Sequence, residues 1–187
     1  MLNGVLAASL LTMALIGTLF FGWSVAGLPF VPFDVFDWLT RVLPGRVIAF
    51  GIGTMVSVIR TLRLGPTSNV AKLAEQLMAI AALFIAGVVG GTILFVVLRA
   101  ERTRSHVIPG LLLGLIFGVS TMLLSLYGSQ TSSVGPVAGS VWVLGAFLVW
   151  GAVLGRSAQR LIDYEQISDA AAARIDRRRF QIGRAHV

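Results

Sequence analysis

Side chains capable of chemistry are few in this chain, and their spacing suits none of the common reaction types. Imidazole comes only from His106, at the start of an apolar stretch, and His186, next to the last position. A haem buried in a membrane bundle usually takes imidazoles that face each other, and these two positions offer no such pair. There is no cysteine, which excludes disulfides, thiolate nucleophiles and cysteine metal ligands. Asp34 and Asp37 stand three apart. In a segment mixing apolar and charged residues, that spacing reads as helix capping, not as an acid and base sharing a pocket. There is no Gly-rich phosphate loop after a strand and no nucleophile elbow. No residue is assigned a catalytic, cofactor-binding or metal-binding role, and the chain by itself is expected not to be an enzyme.

The elements that carry these residues follow from the distribution of charge. Hydrophobic residues make up 56% of the 187 positions and charged residues only 12%, too little charge to cover a water-soluble domain of this size. No Asp, Glu, Lys or Arg occurs in residues 1–33, 76–98 or 105–155. A bilayer core is about 30 Å thick and a helix rises about 1.5 Å per residue, so uncharged apolar runs of this length read as spans. The predicted fold is an all-α integral membrane bundle of four transmembrane helices, at residues 5–26, 77–98, 107–127 and 139–154. A long interfacial or re-entrant helical link, residues 27–76, joins helices one and two. The first span is read as a retained helix and not a cleaved signal peptide, since no Lys or Arg precedes it and no small-residue cleavage site stands out. The formal charge of +7 fits arginine-rich cytoplasmic loops, and nucleic acid is not an expected partner.

Arginine placement sets the expected orientation. Arg99, Arg102 and Arg104 lie between helices two and three, and Arg156, Arg160, Arg174, Arg177, Arg178 and Arg179 follow helix four. The link between helices three and four carries no charge. The positive-inside rule therefore places both termini in the cytoplasm of a multi-pass protein. Arg41, Arg46, Arg60, Arg63 and Lys72 in the long link pull the other way, but long segments follow the rule less strictly. No ionisable residue falls at mid-depth in a span, which counts against a proton pump or ion-coupled transporter.

Within the long link, residues 35–43 mix apolar and charged positions and are closed by Pro44-Gly45, and residues 47–59 are uncharged but too short to span. Such segments read as interfacial or re-entrant helices, fitting either a lid over the outer surface or a docking platform for an extracytoplasmic domain. Thr67-Ser68-Asn69 supplies N-cap residues, so helix two is expected to begin before the membrane. Glycines recur four apart at Gly87 and Gly91, at Gly110, Gly114 and Gly118, and at Gly151 and Gly155. Such faces let helix backbones approach closely in lipid. They serve either homodimerisation or packing within one bundle, and three such faces in one chain favour the second.

Residues 156–180 form a polar, helix-compatible tail ending in Asp176-Arg177-Arg178-Arg179-Phe180. Arginines beside a membrane hold topology and bind anionic headgroups, about 1 kcal/mol each. The order here is more specific, because twin-arginine export signals resemble Ser-Arg-Arg-x-Phe-Leu-Lys followed by an apolar stretch. Arg177, Arg178 and Phe180 match the two arginines and the phenylalanine, whereas Asp176 replaces the usual hydroxyl residue and Gln181 holds the leucine position. Residues 181–187 match the translation of a widely used short-read sequencing adapter, so they are read as foreign, and Arg184 and His186 carry no functional weight. The reading frame is accordingly expected to be cut short after Phe180.

Gly27-Leu-Pro-Phe-Val-Pro-Phe-Asp-Val-Phe-Asp-Trp-Leu-Thr-Arg-Val-Leu-Pro-Gly45, Thr54-Met-Val-Ser-Val-Ile-Arg60 and Gly65-Pro-Thr-Ser-Asn-Val-Ala-Lys-Leu-Ala-Glu75 together resemble the amino-terminal membrane region of bacterial molybdopterin-dependent oxidoreductases related to sulfite oxidase. The resemblance covers nearly the whole chain up to Phe180. It implies a non-catalytic anchor in the bacterial cytoplasmic membrane, partnered by the lipid bilayer and the twin-arginine export machinery. It also implies a following exported domain that would hold the molybdopterin and its molybdenum-ligating thiolate, neither of which this chain supplies. The alternative is a stand-alone four-helix membrane protein with a structural, assembly or small-solute transport role.

Overall fold

The computed structural model describes residues 2–42, 44–46, 49–50, 53–54, 57, 61, 67–100, 107–127 and 135–184, and among them there is no strand. Among the described residues five helices can be bounded: α1 (Leu2–Ala26), α2 (Val31–Val42), α3 (Thr67–Ala100), α4 (Val107–Tyr127) and α5 (Pro136–Arg184). All but α2 contain a stretch long and apolar enough to cross a membrane: Asn3–Ala26, Gln76–Ala100, Val107–Ser125 and Pro136–Tyr164. The described residues thus form an all-α fold, and the chain is a multi-pass membrane protein. Most of the short uncharged segment at 47–59, and the connections 101–106 and 128–134, lie outside the described residues.

Helix ends follow local chemistry. Gly27 stops α1 by adopting φ 62°, a left-handed conformation open to glycine at little cost. Its N–H bonds back to the Trp23 carbonyl at 3.0 Å while the Leu28 N–H reaches the Gly22 carbonyl at 3.4 Å, in a glycine cap. Proline sits in the first turn of α2 (Pro32), α4 (Pro109) and α5 (Pro136), where its missing N–H costs nothing. α3 starts at Thr67, well ahead of the apolar stretch that begins at Gln76. Inside the apolar helices hydroxyls have no water to meet, so they bond their own backbone. Thr12 donates to the Ala8 carbonyl at 2.7 Å and Thr18 to that of Ala14 at 2.8 Å.

The fourth spanning helix runs on past its span. The span was expected over residues 139–154 and was followed by a polar, helix-compatible tail, and one unbroken helix covers both, from Pro136 to Arg184. Arg156, the first charge, does not end it, because a solvent-facing arginine is a good helix former and Arg156 is exposed. The inward face continues past it: Val143, Phe147, Trp150, Leu154 and Ala158 are all buried, at the three- and four-residue spacing of one helix face.

Packing is set by small residues. Along α1 and α3, Gly4 meets Phe95, Ala8 meets Gly91 and Thr12 meets Gly87. Numbers rise on one helix as they fall on the other, so the two are antiparallel. A β-carbon on Gly87 would lie 2.5 Å from Thr12 Cγ2, and one on Gly91 2.8 Å from Ala8 Cβ. The α4–α5 seam is closer still. A β-carbon on Gly110 would collide with the Gly151 carbonyl oxygen and stand 2.9 Å from Gly155 Cα, and one on Gly114 would collide with the Phe147 carbonyl oxygen. Gly118 faces Leu144 and Phe147, each 3.2 Å from its would-be β-carbon. This pair is antiparallel too, and Gly22 seats the Trp142 ring between α1 and α5. All seven glycines of the repeating faces therefore meet neighbours within this chain. One end of the bundle collects the start of α1, the end of α3, the start of α4 and residues 155–164 of α5. The other collects the end of α1, the end of α4 and the start of α5.

Because the obstacle at Gly114 is backbone, a side chain there forces the helices apart. Gly114→Val is expected to destabilise the detergent-purified protein by about 1–3 kcal/mol, read as a lowered melting temperature. Gly145 has nothing within 4 Å of its would-be β-carbon, so Gly145→Ala should be neutral or stabilising by up to about 1 kcal/mol. Equal losses at both positions would contradict the seam.

Candidate functional site: the plugged end of the bundle

The chain leaves α1 at Gly27 and turns at once into the end of the bundle. Pro29 packs on α5, its Cγ 3.1 Å from the position a β-carbon of Gly139 would take. Phe30, Val31 and Pro32 are buried completely or nearly so. Phe30 is the centre of an aromatic cluster, with its ring centroid 5.8 Å from Phe20, 6.0 Å from Trp23 and 4.8 Å from Phe33. The Phe20 and Phe33 contacts are edge-to-face, which sets the positive rim of one ring against the negative face of the other. The sequence Gly27-Leu-Pro-Phe-Val-Pro-Phe is thus an apolar wedge whose two prolines restrict its backbone.

The wedge leads to Asp34, which is 2% exposed. Expected as a local cap, this carboxylate instead makes a tertiary contact: Ser125 Oγ donates to Asp34 Oδ2 at 2.6 Å, within the range of a short hydroxyl–carboxylate bond. Asp34 makes further interactions within the chain, and its place in the first turn of α2 suits the positive end of the helix dipole. Ser125 is the last residue of the apolar stretch of α4. The bond therefore pins α2 to α4 at the edge of the apolar slab. Beyond Asp34 the helix emerges: Trp38 is 38% exposed, and Arg41 and Val42 are exposed as well.

The aromatic core between the seams lies deeper. Trp150 is buried against Phe117 and Phe147, with centroids at 5.8 and 6.3 Å. The indole N–H groups of Trp142 and Trp150 are buried without a hydrogen-bond partner. Sequence reasoning identified both tryptophans as helix residues but gave no sign of this. It also passed over Ser125, because a contact between residues 91 apart leaves no trace in one sequence.

The seven packing glycines lie in the seams and not at the plug. Arg177, Arg178 and Phe180 fall on the last turns of α5, where the backbone is helical and the side chains lie outside the described ones. No cysteine is present to supply a thiolate ligand, and no chemical step is assigned to the chain. What the plugged end can do is mechanical: it closes one end of the bundle and holds the base of α2 there.

The Asp34–Ser125 contact is tested by a double-mutant cycle. Asp34→Ala and Ser125→Ala are each expected to cost about 1–3 kcal/mol, with the double variant clearly less than additive. Full additivity in thermal unfolding would show that the two side chains act independently.

No protein-family model matches the chain, and neither a curated protein nor a solved structure matches it significantly.

Proposed function

We propose that this chain is the membrane region of a bacterial exported oxidoreductase of the molybdopterin-dependent, sulfite oxidase-related type. In this reading it anchors the enzyme in the cytoplasmic membrane and carries the start of an internal export signal. The observation that carries the reading is the unbroken extension of α5, which runs from the glycine seam to Arg177, Arg178 and Phe180. From Tyr164 to Phe180 such a helix rises about 24 Å, long enough to hold the arginine pair clear of the headgroups for an export receptor.

Charge supports the orientation. The end of the bundle from which α5 extends also has Arg99, Arg156 and Arg160 exposed, as the positive-inside rule requires of a cytoplasmic face. At the opposite end Arg41 belongs to the long link, to which the rule applies weakly. With both termini cytoplasmic, the plugged end faces outward and the projecting half of α2 lies where an exported domain would rest. The molybdopterin and its thiolate ligand belong to that domain, and the substrate is fixed there.

The gene itself supplies the test. Its codons after Phe180 are expected to give a leucine, an apolar stretch and a cysteine-bearing domain. A stop codon there would overturn the anchor reading and leave a stand-alone four-helix membrane protein. In the full gene product, exchanging Arg177 and Arg178 together for lysine should cut the folded domain reaching the outside at least tenfold. Unchanged export would rule out the twin-arginine route.

A further inference from the structure

At the opposite end from the plug, a groove opens between the start of α1, the last turns of α3 and the turn of α5 around Leu161. Its volume is about 320 Å³, at the small end of the range of about 300–1,000 Å³ typical of ligand sites. Its floor is the α1–α3 crossing, where a β-carbon on Gly4 would lie 3.2 Å from Phe95 Cγ. Val5, Phe95, Val96 and Leu161 give it hydrocarbon walls, and Asn3 and Arg99 give it a polar edge.

Depth and charge together identify the occupant. Asn3 opens the first apolar stretch, and Arg99 is the first charge after the uncharged run of α3, one residue before its apolar stretch ends at Ala100. The polar edge therefore lies where the apolar slab meets water, the level of lipid phosphates, and the hydrocarbon walls run from there into the slab. Arg156 and Arg160 are exposed at the same end, as is Asp163. Arg99 already has a partner within the chain. Its planar head carries five donors, so a phosphate adds to that contact without replacing it.

We propose that this groove is a binding site for one anionic glycerophospholipid. Its phosphate is held by Arg99 and Asn3, and an acyl chain lies along Val5, Phe95 and Val96. The site would fasten the end of α3 to the start of α1 and to α5 through a lipid of the surrounding leaflet. It is independent of whether an exported domain follows.

The test uses the whole chain in neutral detergent, mixed with micelles containing equal amounts of phosphatidylglycerol and phosphatidylcholine, with bound lipid counted by native mass spectrometry. A roughly fivefold preference for phosphatidylglycerol is expected, the ratio that one arginine at an anionic surface supplies. Arg99→Gln should bring the ratio to near parity, and Val96→Trp should lower retention of both lipids severalfold. Circular dichroism checks that each variant keeps its helices, and Val5→Trp fills the groove from the other wall if Val96→Trp does not. Parity in the unaltered protein, an unchanged preference in Arg99→Gln, or lipid-free pairs of chains in which a second copy fills the groove would each overturn the proposal.

Discussion

Helices surrounded by lipid gain nothing by hiding from water, because the tails around them are as apolar as their own side chains. What remains is close contact, and every other feature of this bundle depends on how that contact is made. Along α4 and α5 the glycines remove side chains until backbone meets backbone, with Gly110 and Gly114 facing the carbonyls of Gly151 and Phe147. Approach this close raises the number of dispersion contacts and allows weak Cα–H···O bonds between helices. The α1–α3 seam uses smaller steps, with Ala8 and Thr12 opposite Gly91 and Gly87. Between the seams, large residues face small ones, as Trp142 does against Gly22.

Antiparallel seams fix which parts of the chain share an end, and this gives the two ends different characters. The plugged end is closed by a proline-bounded wedge and by a carboxylate that leaves water only because Ser125 and other groups in the chain receive it. At the other end the described residues set arginines around a groove that runs into the hydrocarbon. In the anchor role proposed above, one end would meet an exported domain and the other would hold position against the membrane surface.

Much of the fold was legible in the sequence because bilayer spans obey a length rule that single residues rarely disturb. The uncharged runs located the four spanning helices, and the glycines that recur four apart lie in the two seams. Residue type failed where a boundary depended on context. Arg156 marks the edge of the apolar region but does not end a helix whose inward face continues through Ala158. Asp34 reads as a cap from its neighbours, and only the folded chain reveals that its partner is 91 residues away. The partners of the seam glycines could not be matched for the same reason: spacing along one helix names a face, but not the helix that covers it.

Because the chain contains no cysteine, the arrangement of its ends can be measured with single introduced thiols. Asn3→Cys, Trp38→Cys, Gly135→Cys and Arg160→Cys each place one thiol in the chain for labelling by a membrane-impermeant reagent, in sealed vesicles of one orientation. Positions 3 and 160 are predicted to react from one side of the membrane, and positions 38 and 135 from the other. Labelling of positions 3 and 38 from the same side would contradict the alternating bundle, and with it the division into a plugged end and a grooved one.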